Sequence, residues 1–82
     1  MIDVYITCNG REEAVKISTY LLRERLIACA NYWSIESLYQ WKNKINYSKE
    51  FALLVKTTEK NYKKVEKEVK KSIATKFLPS LR

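Results

Sequence analysis

Histidine does not occur in the 82-residue chain. Its absence removes the commonest general base and the commonest metal ligand of proteins. Histidine-based catalytic triads, HExxH zinc sites and Cys/His zinc clusters are excluded with it. Glycine and proline occur once each, which leaves no flexible linker and no low-complexity segment. No apolar run reaches the ~18 residues of a membrane span. The first residues lack the charged, apolar and small-residue order of a secretory signal. A cytoplasmic chain without a membrane partner is therefore the expectation. In that compartment the two cysteines are expected as free thiols rather than as one disulfide.

What is present is globular in balance: 46% hydrophobic and 30% charged residues. Residues 1–82 make one domain, with no room for a second. A chain this short buries only roughly 60% of its unfolded surface. A single core of that size is often marginal without staples or partners, so oligomerisation is the first expectation to test. Sixteen Lys and Arg against nine Asp and Glu give a net charge of +7. That excess favours anionic partners such as phosphates, nucleic acid or a membrane surface. The chain is also rich in Asn, Ile and Tyr, which makes part of the lysine content a compositional habit. Nucleic acid is not expected as a partner on charge alone.

Along the chain, Ile2–Cys8 alternates Ile2, Val4 and Ile6 against Asp3, Tyr5 and Thr7, as a strand does. Asn9-Gly10 signals a turn, with Asn9 as an N-cap and Glu12 as its reciprocal acidic partner. Residues 11–26 read as an amphipathic helix with Ala14, Ile17, Leu21 and Leu22 on its apolar stripe. Cys29–Trp41 has no helical stripe and reads as a strand, broken near Trp33-Ser34. A turn follows at 42–44 with Asn43 left-handed, and 44–56 returns as a strand. Within it, 51–55 is continuously apolar, as in a central strand covered on both sides. Thr57 or Thr58 caps a second helix over 59–74, with Tyr62, Val65, Val69 and Ile73 on one stripe. A short apolar tail, 77–82, closes the chain.

The order β-α-β-β-α with a short or missing last strand is the split βαβ plan: an α+β, ferredoxin-like fold with both helices on one face of an antiparallel sheet. Thirteen residues from Cys29 to Trp41 span roughly 40 Å when extended, more than the ~30 Å diameter of a compact domain of this length. The central hairpin must bend or project onto a neighbour. Its aromatic residues Trp33, Tyr39, Trp41 and Tyr47 mark a contact surface, which supports a homo-oligomer built through strand edges.

The strand YITC leading into REEA, the run RERLIACAN, then SLYQWKNKI and EFALLVKTT, in this order and spacing across residues 2–58, resemble the CutA family of divalent-cation-tolerance proteins. The resemblance implies a small cytoplasmic ferredoxin-like domain that forms tight homotrimers, with the long hairpin reaching a neighbour. It implies an assembly like that of the PII signalling proteins and a link to tolerance of copper and other divalent cations. Some members bind Cu(II), and no enzymatic reaction is established for them. The chain departs from the family pattern after the second helix. A His-Pro-Tyr-Glu-like run and a closing strand are expected there, and residues 72–79 stand in their place, with Pro79 matching the later proline. A shortened end and a divergent member are the two readings, and both weaken a copper site.

Candidate site residues follow. Cys8 ends the first strand, near where family copper ligands lie, and Cys29 starts the second. Thiolates suit Cu(I) and Zn(II) better than Cu(II), so both are weak metal candidates, and buried packing is the plainer reading of each. No cofactor is required. A copper or other divalent ion is the candidate, weakened by the lack of histidine. Tyr39, Trp41, Glu50 and Lys56 recur in the family pattern around the hairpin and intersubunit clefts. They read either as an anion or aromatic-ligand pocket, with a Lys56–Glu50 pair, or as anchors of the trimer. Lys60, Lys63, Lys64, Lys67, Lys70 and Lys71 coat the second helix. Interleaved Glu59, Glu66 and Glu68 favour a solvated face with Glu59–Lys63 and Glu66–Lys70 pairs. The leading function is a trimeric metal-tolerance protein that acts by binding, not turnover. The alternative is a PII-like regulatory or scaffold module that binds an anion or a partner protein without metal.

Overall fold

The computed structural model describes residues 1–72 and 77–79. The elements run β1 (Ile2–Cys8), α1 (Arg11–Arg23), β2 (Cys29–Trp41), β3 (Lys44–Thr57), α2 (Glu59–Ser72) and β4 (Phe77–Pro79). They form one antiparallel sheet in the order β2-β3-β1-β4, the ferredoxin-like plan. The last strand is present and short, pairing Phe77, Leu78 and Pro79 with Ile6, Tyr5 and Val4. The expected end of the second helix at 73–74, including Ile73, and the tail at 80–82 lie outside the described residues.

The core sits between the helices and one face of the sheet. Ile2, Val4, Ile6 and Cys8 of β1 share that face with Leu53 and Val55 of β3. They meet Ala14, Ile17 and Leu21 of α1 and Val65 and Val69 of α2 in one buried cluster. The alternation of β1 and the 3.6-residue spacing of the helices place these residues together. Leu22, read as part of the α1 stripe, is exposed instead. Position 18 takes the inward place, and Ser18 Oγ donates to the Ala14 carbonyl at 2.7 Å, so its hydroxyl is satisfied in the core. Thr57 is buried at the end of β3 and donates to the Leu26 carbonyl at 2.6 Å.

Both ends of α1 differ from expectation. Gly10, not Asn9, is the N-cap, in extended backbone that any residue adopts, and no side chain caps it. The reciprocal acid is Glu13, not Glu12: the Asn9 backbone N–H donates to Glu13 Oε1 at 2.9 Å. The helix ends at Arg23, three residues early, through a Schellman turn. Arg25 N–H donates to Leu22 O and Leu26 N–H to Leu21 O, and Arg25 is left-handed at φ 59°. Leu26 packs back on the core cluster that contains Leu21, the hydrophobic contact that accompanies this cap.

The expected break near Trp33-Ser34 is absent. β2 and β3 pair without a bulge from Cys29↔Lys56 to Trp41↔Lys44. Lys42 and Asn43 both have positive φ, 52° and 62°, which makes a two-residue turn whose twist matches that of the strands. β1 stops at Cys8↔Phe51. Beyond it, 35–41 and 44–50 pair only with each other and leave the body as a ribbon. The molecule accordingly measures 41 × 25 × 20 Å. The hairpin projects; it does not bend back.

Arg25→Gly is expected to raise the stability of the chain by about 0.5–1 kcal/mol, because it removes the left-handed cost of a side chain and keeps the Schellman bonds. A urea midpoint that moves up for Arg25→Gly and not for Arg25→Ala checks it.

Candidate functional site: the open sheet face and the projecting hairpin

Among the described residues, helices cover one face of the sheet and not the other. On the other, the register lines up alternate residues of three strands: Asp3, Tyr5 and Thr7; Cys29, Trp33, Ile35, Tyr39 and Trp41; Lys44, Glu50, Leu54 and Lys56. All four residues read from the sequence as a cleft, Tyr39, Trp41, Glu50 and Lys56, stand on this open face. They do not stand together. Lys56 is opposite Cys29, and Tyr39 is opposite Asn46, ten residues further along β3. At ~3.3 Å per residue the separation is roughly 33 Å. Six residues, roughly 20 Å, separate Glu50 from Lys56. Neither a Lys56–Tyr39–Trp41 pocket nor a Lys56–Glu50 pair forms within one chain. Glu50 instead accepts a hydrogen bond from Ser48 Oγ at 2.9 Å.

The ribbon is apolar on both faces. Tyr39 and Trp41 are 45% and 62% exposed on the open side, and Lys42 Nζ lies 6.0 Å from the Trp41 ring centroid. On the opposite side, Leu38, Ile45 and Tyr47 are 74%, 75% and 54% exposed. Leu38 and Ile45 went unread as surface residues. Their signal was available: they lie in the part of the hairpin that outreaches the body, at alternate positions to Tyr39 and Trp41. A two-stranded ribbon with large apolar side chains on both faces is not independently stable in water. Its geometry suits insertion between two neighbouring surfaces.

Where the ribbon leaves the body a cleft of about 340 Å³ opens between the β1–α1 turn and the two strands, lined by Asn9, Gly10, Ser34, Glu36, Lys49 and Phe51 among others. Close by, Arg11 sits over the Tyr32 ring at 5.8 Å. These contacts brace the root of the hairpin against α1.

The cysteines part company. Cys8 is fully buried in the core, not at a solvent-facing strand end. Burial, reinforced by the Glu13 carboxylate, pushes its thiol up to about 11. Cys29 is exposed, contrary to its reading as a buried apolar residue, because β2 is an edge strand and Cys29 lies on the face without helices. The two thiols occupy opposite faces, with β3 between their strands. They cannot share an ion. Among the described residues no group of three or more His, Cys, Asp or Glu could hold a metal. Among the described residues, the donors of one chain are too dispersed to gather around a divalent cation.

The description that matches the chain is CutA1 divalent ion tolerance protein, over residues 2–78. This chain belongs to that family. The divalent-cation tolerance protein CutA of Thermotoga maritima is 45% identical over 71 residues, which cover 87% of this chain and 70% of that protein. The solved structure of the periplasmic divalent cation tolerance protein CutA from Archaeoglobus fulgidus superposes with a TM-score of 0.84 at 35% identity, covering 99% of this chain and 84% of that one. A PII-like protein CutA from Nostoc shares the fold at a TM-score of 0.86 and 19% identity, over 100% of this chain and 81% of its own. This CutA-family chain therefore has the family's sheet and hairpin, while its own cysteines are placed apart.

A Cys29→Ala variant, which leaves Cys8 as the single thiol, is expected to resist a disulfide-exchange reagent at neutral pH until denaturant opens the core. The raised Cys8 value also sets a pH dependence. The folded thiol holds its proton up to about 11, while the unfolded thiol loses it near ~9. The stability from this group is intact below ~9 and falls as pH rises toward 11. Denaturant midpoints measured across that window, compared with Cys8→Ala, check the sign.

Proposed function

We propose that this chain works as a homotrimer in the response to divalent cations, by binding and assembly and not by turnover. The observation that carries the reading is the ribbon, apolar on both faces and beyond the reach of its own core. A chain of 9.7 kDa exposes 6112 Å², against about 5100 Å² for a compact monomer of that mass. The excess is of the size one subunit contributes to a stable interface. A blade that offers two different faces to its neighbours makes heterologous contacts, which close into rings rather than into a two-fold pair. Three subunits is the ring that the family resemblance implies. In such a ring Lys56 of one copy can approach Tyr39 and Trp41 of the next, which a single chain forbids.

A second reading is favoured by one observation: among the described residues, no cluster of donors suited to a metal ion forms within a single chain. In that reading the trimer is a PII-like regulatory or scaffold module that binds an anion or a partner protein at the intersubunit cleft.

Native mass spectrometry of the reduced protein, with and without Cu(II) and Zn(II), separates the two. A trimer is expected in both cases. Uptake of metal in threes, lost in Cys29→Ser, supports the cation-binding reading. A trimer that takes up none supports the module. A monomer overturns both. Trp41→Ala is expected to weaken assembly by about 30-fold, the effect of a buried aromatic anchor. Lys67→Ala on α2 should leave it within about twofold, and equal effects would remove the hairpin from the interface.

A further inference from the structure

The outward face of α2 is not needed for the fold, the sheet interface or the cysteines. At 100° per residue, Lys60, Lys63, Lys64, Lys67, Lys70 and Lys71 fall within an arc of about 120° opposite the buried Val65 and Val69. The three glutamates lie outside that arc, Glu59 and Glu66 on one flank and Glu68 on the other. The flanks consume some of the charge: Lys70 pairs with Glu66 at 3.3 Å and Lys71 with Glu68 at 3.8 Å. Glu68 also accepts from Tyr20 Oη at 2.9 Å, which ties that flank to α1. Lys60, Lys63, Lys64 and Lys67 are exposed, and they form no ion pair with another described residue. Of the two ion pairs read from the sequence, Glu66–Lys70 forms, and Lys63 pairs with no other described residue. The first turns present four uncompensated cations over roughly 10 Å of helix.

We infer that this face of α2 is a docking surface for the phosphate backbone of double-stranded DNA, bound without regard to sequence. Charge complementarity names the chemistry, and the rest of the face narrows it. With Glu59 and Glu66 on one flank and Glu68 on the other, carboxylates would face the walls of a groove, so the lysine arc meets the phosphates of a duplex from outside, as a convex basic surface. The arc carries no arginine and no side-chain amide, the groups that read base edges. It carries no aromatic ring on which unpaired bases would stack, which disfavours single strands. It carries no apolar side chain, and Val65 and Val69 are committed to the core. The helix therefore cannot lie in a bilayer interface as amphipathic anchors do.

The test is fluorescence anisotropy of the full chain with a mixed-sequence DNA duplex of about 20 base pairs, across a salt series. Four phosphate contacts predict a log–log salt slope of about −3.6 per docked helix, hence a loss of about 10²-fold in affinity between 50 and 200 mM salt. Lys60, Lys63, Lys64 and Lys67 changed together to Gln should lose at least about tenfold at 50 mM and flatten the slope. The same four changed to Arg should retain binding, which separates lost charge from lost folding. A paired control compares Lys63 and Lys67 changed to Gln with Lys16 and Arg23 changed to Gln: the second pair removes the same net charge elsewhere and should bind nearly as the parent does. Equal losses in the two pairs would reduce the effect to net charge and overturn the assignment. So would absence of duplex binding at 50 mM salt, or binding to phosphatidylserine vesicles without binding to the duplex.

Discussion

The unbroken register between β2 and β3 is the constraint on which the rest of this molecule depends. One slip by a single residue would exchange the two faces of β2, sending Tyr32 and Leu38 to the open face and Trp33, Tyr39 and Trp41 to the other. Two features pin it. The turn at Lys42 and Asn43 needs two consecutive left-handed residues and so fixes where the strands fold back. At the other end the Ala28 N–H donates to the Lys56 carbonyl at 2.7 Å, and Thr57 is held by the Leu26 carbonyl. Between these anchors every cross-strand neighbour follows.

The register also divides labour along the hairpin. Its root belongs to the domain core, where β1 joins β3 and Leu53 and Val55 are buried. Among the described residues, its outer half has no third strand and no helix beside it. The same two strands therefore supply the fold at one end and an unsatisfied surface at the other. That division explains why a small domain with a modest core carries so many large exposed side chains: they lie on structure that one chain cannot cover. The helices complete the picture from the opposite side of the sheet, one face committed to packing and the other to solvent.

Placement of the cysteines follows from the same geometry. Inward parity on β1 makes Cys8 a core residue, and desolvation keeps its thiol protonated. Edge position and outward parity make Cys29 accessible. The chain's membership of a divalent-ion tolerance family stands beside an arrangement in which, among the described residues, no three His, Cys, Asp or Glu come together.

The alternation in Ile2–Cys8, the helix stripes apart from Leu22 and the undescribed Ile73, the turn at Asn43 and the order of elements were legible, because each rests on a local pattern. The ferredoxin-like plan and the excess length of the hairpin followed from them, while the resemblance to CutA proteins rested on particular runs such as SLYQWKNKI and EFALLVKTT. The ends of α1 were not legible. A Schellman turn with arginine in the left-handed position depends on Leu26 packing back against the core, a contact no local pattern announces. The continuity of β2 through Trp33-Ser34 was hidden because β1 ends beside that point, at Cys8↔Phe51, so the burial that sets one phase of alternation stops there. The register between β2 and β3 put Tyr39, Trp41, Glu50 and Lys56 on one face, and the length of paired strand held them roughly 20–33 Å apart. The sequence by itself determined which residues could be buried and in what order the elements run. The tertiary structure decided which surfaces were left over, because exposure depends on where β1 ends beside a longer β3, and that is a property of the whole sheet.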